Sequence, residues 1–207
     1  MGAAGSARQV MADMRGYLKP EEIAQIYGAV KTPLEKILVR LLWRTGCRIS
    51  ELLAVKVGDV SWGDKMILIR TLKQKENRKE RYVPVDNETL RLIKWFTTNK
   101  KSGLVIGSAF GWNPDDHKAQ ECARVRAYFM VRRIGARVGI NNVGRKKLHP
   151  HHFRHSYAVA WVRTHHDLEH LRKLQQILGH ADISMTAQYL QFGFKDISDD
   201  YEKVFKE

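Results

Sequence analysis

Cysteine is nearly absent from this 207-residue chain, which has only Cys47 and Cys122, far apart and without metal-ligand spacing. That excludes a disulfide-stapled fold. Both thiols read as small core residues of a protein kept in a reducing, cytoplasmic compartment. Long apolar runs are missing as well. The most apolar stretch, Ile37 to Trp43, is interrupted by Arg40, so no membrane span is expected. The N-terminus lacks the apolar core of a signal peptide. Gly2 and Ser6 fit the myristoylation spacing, although MGAAGS reads equally well as a flexible leader. There is no internal repeat and no low-complexity tract. Acidic residues are few: 22 Asp and Glu stand against 36 Lys and Arg, a formal net charge of +14. Such an excess favours a polyanionic partner, because each phosphate met by a cation releases condensed counterions. An anionic membrane surface would attract the same charge, so composition alone does not choose between them.

What is present reads as one domain with a real core, since hydrophobic residues make up 43% of the chain. Residues 1–17 are expected to form a loose tail and residues 18–207 the folded domain. Pro20 with Glu21 and Glu22 marks a helix start, and Pro33 opens a second helix that Gly46 stops. A short helix follows over Arg48 to Lys56. MILIRTLK, a charged turn and RYVPV predict a β-hairpin from about Met66 to Val85. Helices are predicted over Asn87 to Asn99 and His117 to Gly139. Ser108 to Asp116 reads as a loop, and Arg145, Lys146 and Lys147 as a basic linker. From Pro150 onward the pattern is helical, with breaks at Asp167, Gly179 and Gly193. The expected fold class is mostly α with a small antiparallel β-sheet (α+β).

Four segments carry chemistry: TGCRISELLAV (45–55), KQKENRKER (73–81), HPHHFRHSYAV (149–159) and LGHADISMTAQYL (178–190). Taken in order, they resemble the arginine, lysine, His-x-x-Arg and tyrosine boxes of the tyrosine recombinase (integrase) family, over nearly all of residues 20–192. The resemblance implies a catalytic set of Arg48, Lys75, His151, Arg154, His180 and Tyr189. It implies no cofactor and no metal, double-stranded DNA as partner, and a homo-tetramer on DNA that can be a monomer when free. It also implies an N-terminal core-binding domain, which is expected to be absent here because only about 19 residues precede the first helix.

The residue types suit that chemistry. Breaking a phosphodiester without a metal needs a nucleophile, a base, an acid, and positive charge on the non-bridging oxygens. Guanidinium offers phosphate a planar fork, so Arg48 and Arg154 can supply the clamp, although each alone could be a backbone contact or a surface ion pair. His151 and Arg154 are three apart, near the N-terminus of a helix that Pro150 would open, with Phe153, Tyr157 and Ala160 on the opposite side. His151 is the general-base candidate. The cluster His149, His151, His152 and His155 could instead suggest a metal site, but it lacks acidic or cysteine partners.

By itself His180 could be a capping residue behind Gly179, and Tyr189 half-buried core. The resemblance makes them a phosphate donor and the nucleophile, with Tyr201 as rival nucleophile. Lys73 and Lys75 share a strand face. The family's place for its lysine favours Lys75 as general acid, and Lys79 reads as a DNA contact. The resemblance also implies that the C-terminal segment DISDDYEKVFKE docks on a neighbouring protomer. Two other readings are a type IB topoisomerase-like DNA-relaxing enzyme and a non-catalytic DNA-binding regulator of a full-length recombinase.

Overall fold

The computed structural model describes residues 16–71, 80–98, 102–165 and 167–193. Outside them lie the leader with Gly2 and Ser6, the turn with Lys73, Lys75 and Lys79, and the C-terminal segment with Tyr201. The described chain is mostly helical with small antiparallel sheets, the class expected from its patterning.

Helices α1 (Pro20–Gly28), α2 (Pro33–Thr45) and α3 (Ile49–Leu53) come first. The Thr32 hydroxyl accepts from the Glu35 N–H at 3.2 Å, and Pro33 fills the first turn of α2, where no N–H is needed. Gly46 ends α2 at φ 61°, and a Cβ there would lie 2.8 Å from the Tyr157 ring. Next come β1 (Val60–Ser61), β2 (Met66–Arg70) and β3 (Glu80–Pro84), in the order β1-β2-β3 with Leu68 opposite Tyr82. Ile67, Ile69 and Val83 point into the core while Tyr82 stands in solvent, the alternation of a one-sided sheet.

After α4 (Asn87–Phe96), a 3-10 turn (Gly107–Phe110) and α5 (His117–Ala136), a second hairpin forms from β4 (Asn142–Val143) and β5 (Lys146–Lys147). The chain then runs through α6 (Pro150–Thr164), α7 (Leu168–Leu178) and α8 (Ser184–Ala187) into a 3-10 turn (Gln188–Gly193). No helix among the described residues is long and apolar enough to cross a membrane.

Helix α6 is the spine. Phe153 joins the large core built around α2, while Ala158, Val159 and Val162 form a smaller cluster with Leu171, Leu174 and Leu178 of α7. Packing on two sides explains why apolar residues are spread around its circumference. Burying each large aliphatic side chain contributes about 2 kcal/mol. Two basic stretches are consumed internally. Arg137 reaches both oxygens of buried Glu35 at 2.7 and 2.8 Å, with Arg133 at 3.3 Å, and Arg40 meets Asp86 and Glu88, each at 2.8 Å.

Five expectations change. Cys122 is exposed on α5, so only Cys47 is a core thiol. The basic linker at 145–147 is half of a hairpin, and β1 joins the first sheet; strands of two residues are too short to show alternation in sequence. Helix α5 ends at Ala136, before Gly139, which turns at φ 74°. Tyr17, expected in the tail, is packed: Arg163 donates to its hydroxyl at 3.0 Å, and the neighbouring Leu18 N–H donates to buried Ser156 Oγ at 2.7 Å.

Candidate active site

Three segments converge beside the first turns of α6: the α2–α3 junction, the end of α7, and β3. Arg154 lies at their centre and is 3% exposed. Its guanidinium donates to Gly46 O at 2.9 Å and to Leu178 O at 2.7 Å. Both carbonyls stand at helix C-termini, where unpaired C=O groups carry partial negative charge. No carboxylate is hydrogen-bonded to it among the described residues. Burial, followed by the like charge of Arg48, brings its pKa down to about 10.

Arg48 caps α3 and keeps a fifth of its side chain exposed. Its guanidinium lies 3.1 Å from Glu51 Oε1, and its N–H donates to Glu51 Oε2 at 3.0 Å. The same buried carboxylate takes Arg81 of β3 at 2.7 Å, and Arg81 Nε donates to Ile177 O at 2.7 Å. Burial pushes the Glu51 carboxyl up, but Arg81 and Arg48 together hold it below its usual value. One carboxylate thus faces three guanidiniums, which leaves a net positive hole suited to an anion. Gly179, at φ 66°, ends α7, and a Cβ there would meet the Arg81 guanidinium at 2.9 Å.

The two later boxes deliver His180 and Tyr189 to the same place. The rings of His180 and Tyr189 are 6.4 Å apart and nearly parallel. His180 Nδ1 lies 2.8 Å from the fully buried Thr186 hydroxyl. In the tautomer where Thr186 O–H donates to Nδ1, the ring proton is on Nε2, free for an anion. Burial and the charges of Arg154 and Arg48 lower the His180 pKa to about 4. Tyr189 is 3% exposed and belongs to the α6–α7 apolar cluster. Its hydroxyl lies 2.7 Å from His155 Nδ1. Burial raises the tyrosine pKa, with Arg154 and Arg48 opposing.

His151 is exposed on the first turn of α6, its ring 6.5 Å from that of His155 one turn on. His152 Nδ1 already accepts the His149 N–H at 3.1 Å, and no group of three or more His, Cys, Asp or Glu among the described residues is placed to hold a metal. Lys75 and Lys73 lie outside the described residues, between β2 and β3 in sequence. A cleft of about 600 Å³ opens on this region, lined by Arg48, Thr71, Arg81, Gly179, His180 and Met185 among others.

The structure therefore brings Arg48, Arg154, His180 and Tyr189 together, with His151 at the rim. It adds four residues that reading the sequence missed as site components. His155 follows His151 by four and so shares its helix face, a legible signal. Glu51 stands three after the cap residue Arg48, also legible. Arg81 and Thr186 carry no local signal, because their partners are distant in sequence or set by the turn after Gly179.

With this geometry in view, the sequence pattern of the phage integrase family matches residues 16–195, nearly the whole chain. The chain belongs to the phage integrase family. Its relatives include tyrosine recombinase XerA of Saccharolobus solfataricus, 30% identical over 88% of this chain and 54% of that protein. Tyrosine recombinase XerD of Yersinia pestis is 30% identical over 77% of this chain and 51% of that protein. The chain thus spans about half the length of these curated relatives. Among family structures, XerA recombinase superposes with a TM-score of 0.65 at 24% identity, covering 91% of this chain and 65% of that one. The catalytic domain of bacteriophage HP1 integrase gives 0.55 at 21% identity, covering 90% and 93%. These family structures share the fold.

Proposed function

We propose that residues 18–207 form the catalytic domain of a site-specific DNA recombinase that cuts and rejoins double-stranded DNA through a 3′-phosphotyrosine on Tyr189. The observation that carries this reading is a tyrosine hydroxyl held 2.7 Å from a histidine nitrogen, beside a guanidinium pair with a net positive excess. Tyr189 Oη attacks the phosphorus, the bond to O5′ breaks, and a 5′-hydroxyl leaves; a 5′-hydroxyl from another duplex reverses the step. Arg48 and Arg154 bind the non-bridging oxygens, His180 donates to one of them, and Lys75 protonates the leaving oxygen. Preorganised charge of this kind is usually the largest catalytic contribution. The charge comes from side chains, so the scheme uses no cofactor.

A hydroxyl on a residue only 3% exposed is out of reach of a duplex, so the state seen is a resting one. His155 holds the hydroxyl there. His151, exposed one turn nearer the helix start, takes the proton once Tyr189 swings out toward DNA. The partner is duplex DNA in the cytoplasm, with four copies joining two sites, in keeping with the +14 charge and the family.

Duplexes enriched for binding from a random pool, nicked next to each phosphate in turn, test this reading. A denaturant-resistant adduct should form and map by peptide sequencing to Tyr189. An adduct that persists in Tyr189→Phe would overturn the assignment and turn attention to Tyr201.

A further inference from the structure

The β4–β5 hairpin has no part in the chemistry above, yet its placement is specific. Val143 and Lys146 are paired in register, as are Asn142 and Lys147. The two-residue turn between them starts at Gly144, φ 57°, a conformation that favours glycine. Val143 and Leu148 are buried, and Lys146 lies opposite the first and two residues before the second. Paired residues and alternate residues share a face. Lys146 therefore sits by register on the inner face of the hairpin while staying exposed. Its charge is felt by His149, His152 and His155 of the α6 entrance.

Arg145, Lys146 and Lys147 are all exposed, and none makes an ion pair among the described residues. This separates them from Arg40, Arg70, Arg81, Arg133 and Arg137, whose charges are met by internal carboxylates. The hairpin leads directly through Leu148 into Pro150, the first residue of α6. The fifteen-residue α6 directs its positive dipole end toward the same region. Hairpin and helix start thus adjoin the site through His155, on which both Lys146 and Arg154 act.

We propose that the β4–β5 hairpin is a DNA-backbone grip, in which Lys146, flanked by Arg145 and Lys147, binds phosphates beside the one presented to Arg154. The proposal rests on the DNA-cleaving reading for the position of the neighbouring phosphate. The contact itself is sequence-independent: phosphate contacts position a protein on the duplex, and base contacts specify. An acidic protein or an anionic membrane is the competing partner for such a patch, and the continuity with the site favours DNA.

The test is binding of the full chain, carrying Tyr189→Phe to prevent turnover, to a duplex of about 30 base pairs across a salt series; the slope of log affinity against log salt falls by about 0.9 for each phosphate contact removed. Lys146→Gln should reduce the slope by about 1, and the triple change to Gln at 145, 146 and 147 by about 2 to 3. Lys146→Arg should keep the slope, since it keeps the charge. A thermal melt checks that each variant folds. An unchanged slope in the folded triple variant overturns the grip, and so does an equal loss in Lys146→Arg and Lys146→Gln, which would make the effect one of packing. Failure of the DNA-cleaving reading would look different: the wild-type chain would form no adduct, whatever the slopes.

Discussion

Arg40 and Arg154 are both buried arginines on helices of the core, and their surroundings treat the charge in opposite ways. Arg40 meets two carboxylates, Asp86 and Glu88, and its other N–H donates to Thr89. Burial alone would lower its pKa, but those charges raise it. Arg154 meets two backbone carbonyls and lies near a second guanidinium, and its pKa falls to about 10. The first arginine is complete within the protein. The second lacks a counter-anion, and a buried charge left in that condition marks a place where a ligand's charge belongs.

Matched substitutions should break this symmetry most clearly. Arg154→Met should slow adduct formation by about 10²-fold or more. It should cost the fold under about 1 kcal/mol, because an uncompensated buried charge goes with it. Arg40→Met should do the reverse, costing about 2 kcal/mol by leaving partly exposed carboxylates unpaired while adduct formation is retained. Denaturant melts and single-turnover cleavage read both quantities. Equal losses in the two variants would remove the distinction.

The leaving group sharpens the contrast within the site. A 5′-bridging sulfur needs little protonation, so Lys75→Ala should be slow by about 10²-fold on ordinary DNA and largely restored on the sulfur-containing strand. Arg154→Met should stay impaired on both. Rescue of Lys73→Ala instead would shift the general acid by two residues.

A smaller effect is expected at Thr186. Thr186→Val removes the hydroxyl that orients His180 and should slow cleavage about tenfold, roughly 1.4 kcal/mol of barrier, with Thr186→Ser restoring it. Nitrogen NMR of His180 should show its tautomer mixture shift in the valine variant; an unmoved signal would leave Thr186 as mere packing.

The weakest effect separates the two regions by pH. Burial holds His149, His155 and His180 at about 4 and His152 at about 3, below the histidine reference of roughly 6.5. The unfolded chain binds protons first, so the stability tied to these groups is complete above about pH 6.5 and is lost as pH falls toward those folded values. On the other side, Asp86 and Glu35 lie at about 2, so their contribution is lost only below about pH 4. Hydrogen exchange followed from pH 7 to pH 3 should show α6 and α7 loosening before α2 and α4. Simultaneous loosening would argue against the histidines as cause.

The two regions also differed in how far they could be read from sequence. Helix α2 was legible from Pro33 and Gly46, because helix starts and stops are local properties. Arg48, Arg154, His180 and Tyr189 stood out through the boxes that carry them. Tyr189 shows that two readings of one residue can hold together, since it is both apolar-cluster member and proposed nucleophile. What stayed hidden was non-local. Arg81 acquires its role from Glu51 and Ile177, which are brought to it only by folding. The β4–β5 hairpin hid because each strand is two residues long.

The carbonyls that hold Arg154 have an evolutionary consequence. Gly46 O and Leu178 O belong to the main chain, so no single substitution at either position deletes the acceptor as Asp86→Ala would delete one carboxylate partner of Arg40. Another apolar residue could stand at 178 and still present the same oxygen, provided α7 ends there. Drift can therefore rewrite the surroundings of Arg154 extensively while its two anchors persist. The vulnerable positions are the glycines at 46 and 179, where a side chain would both strain the turn and strike Tyr157 or Arg81.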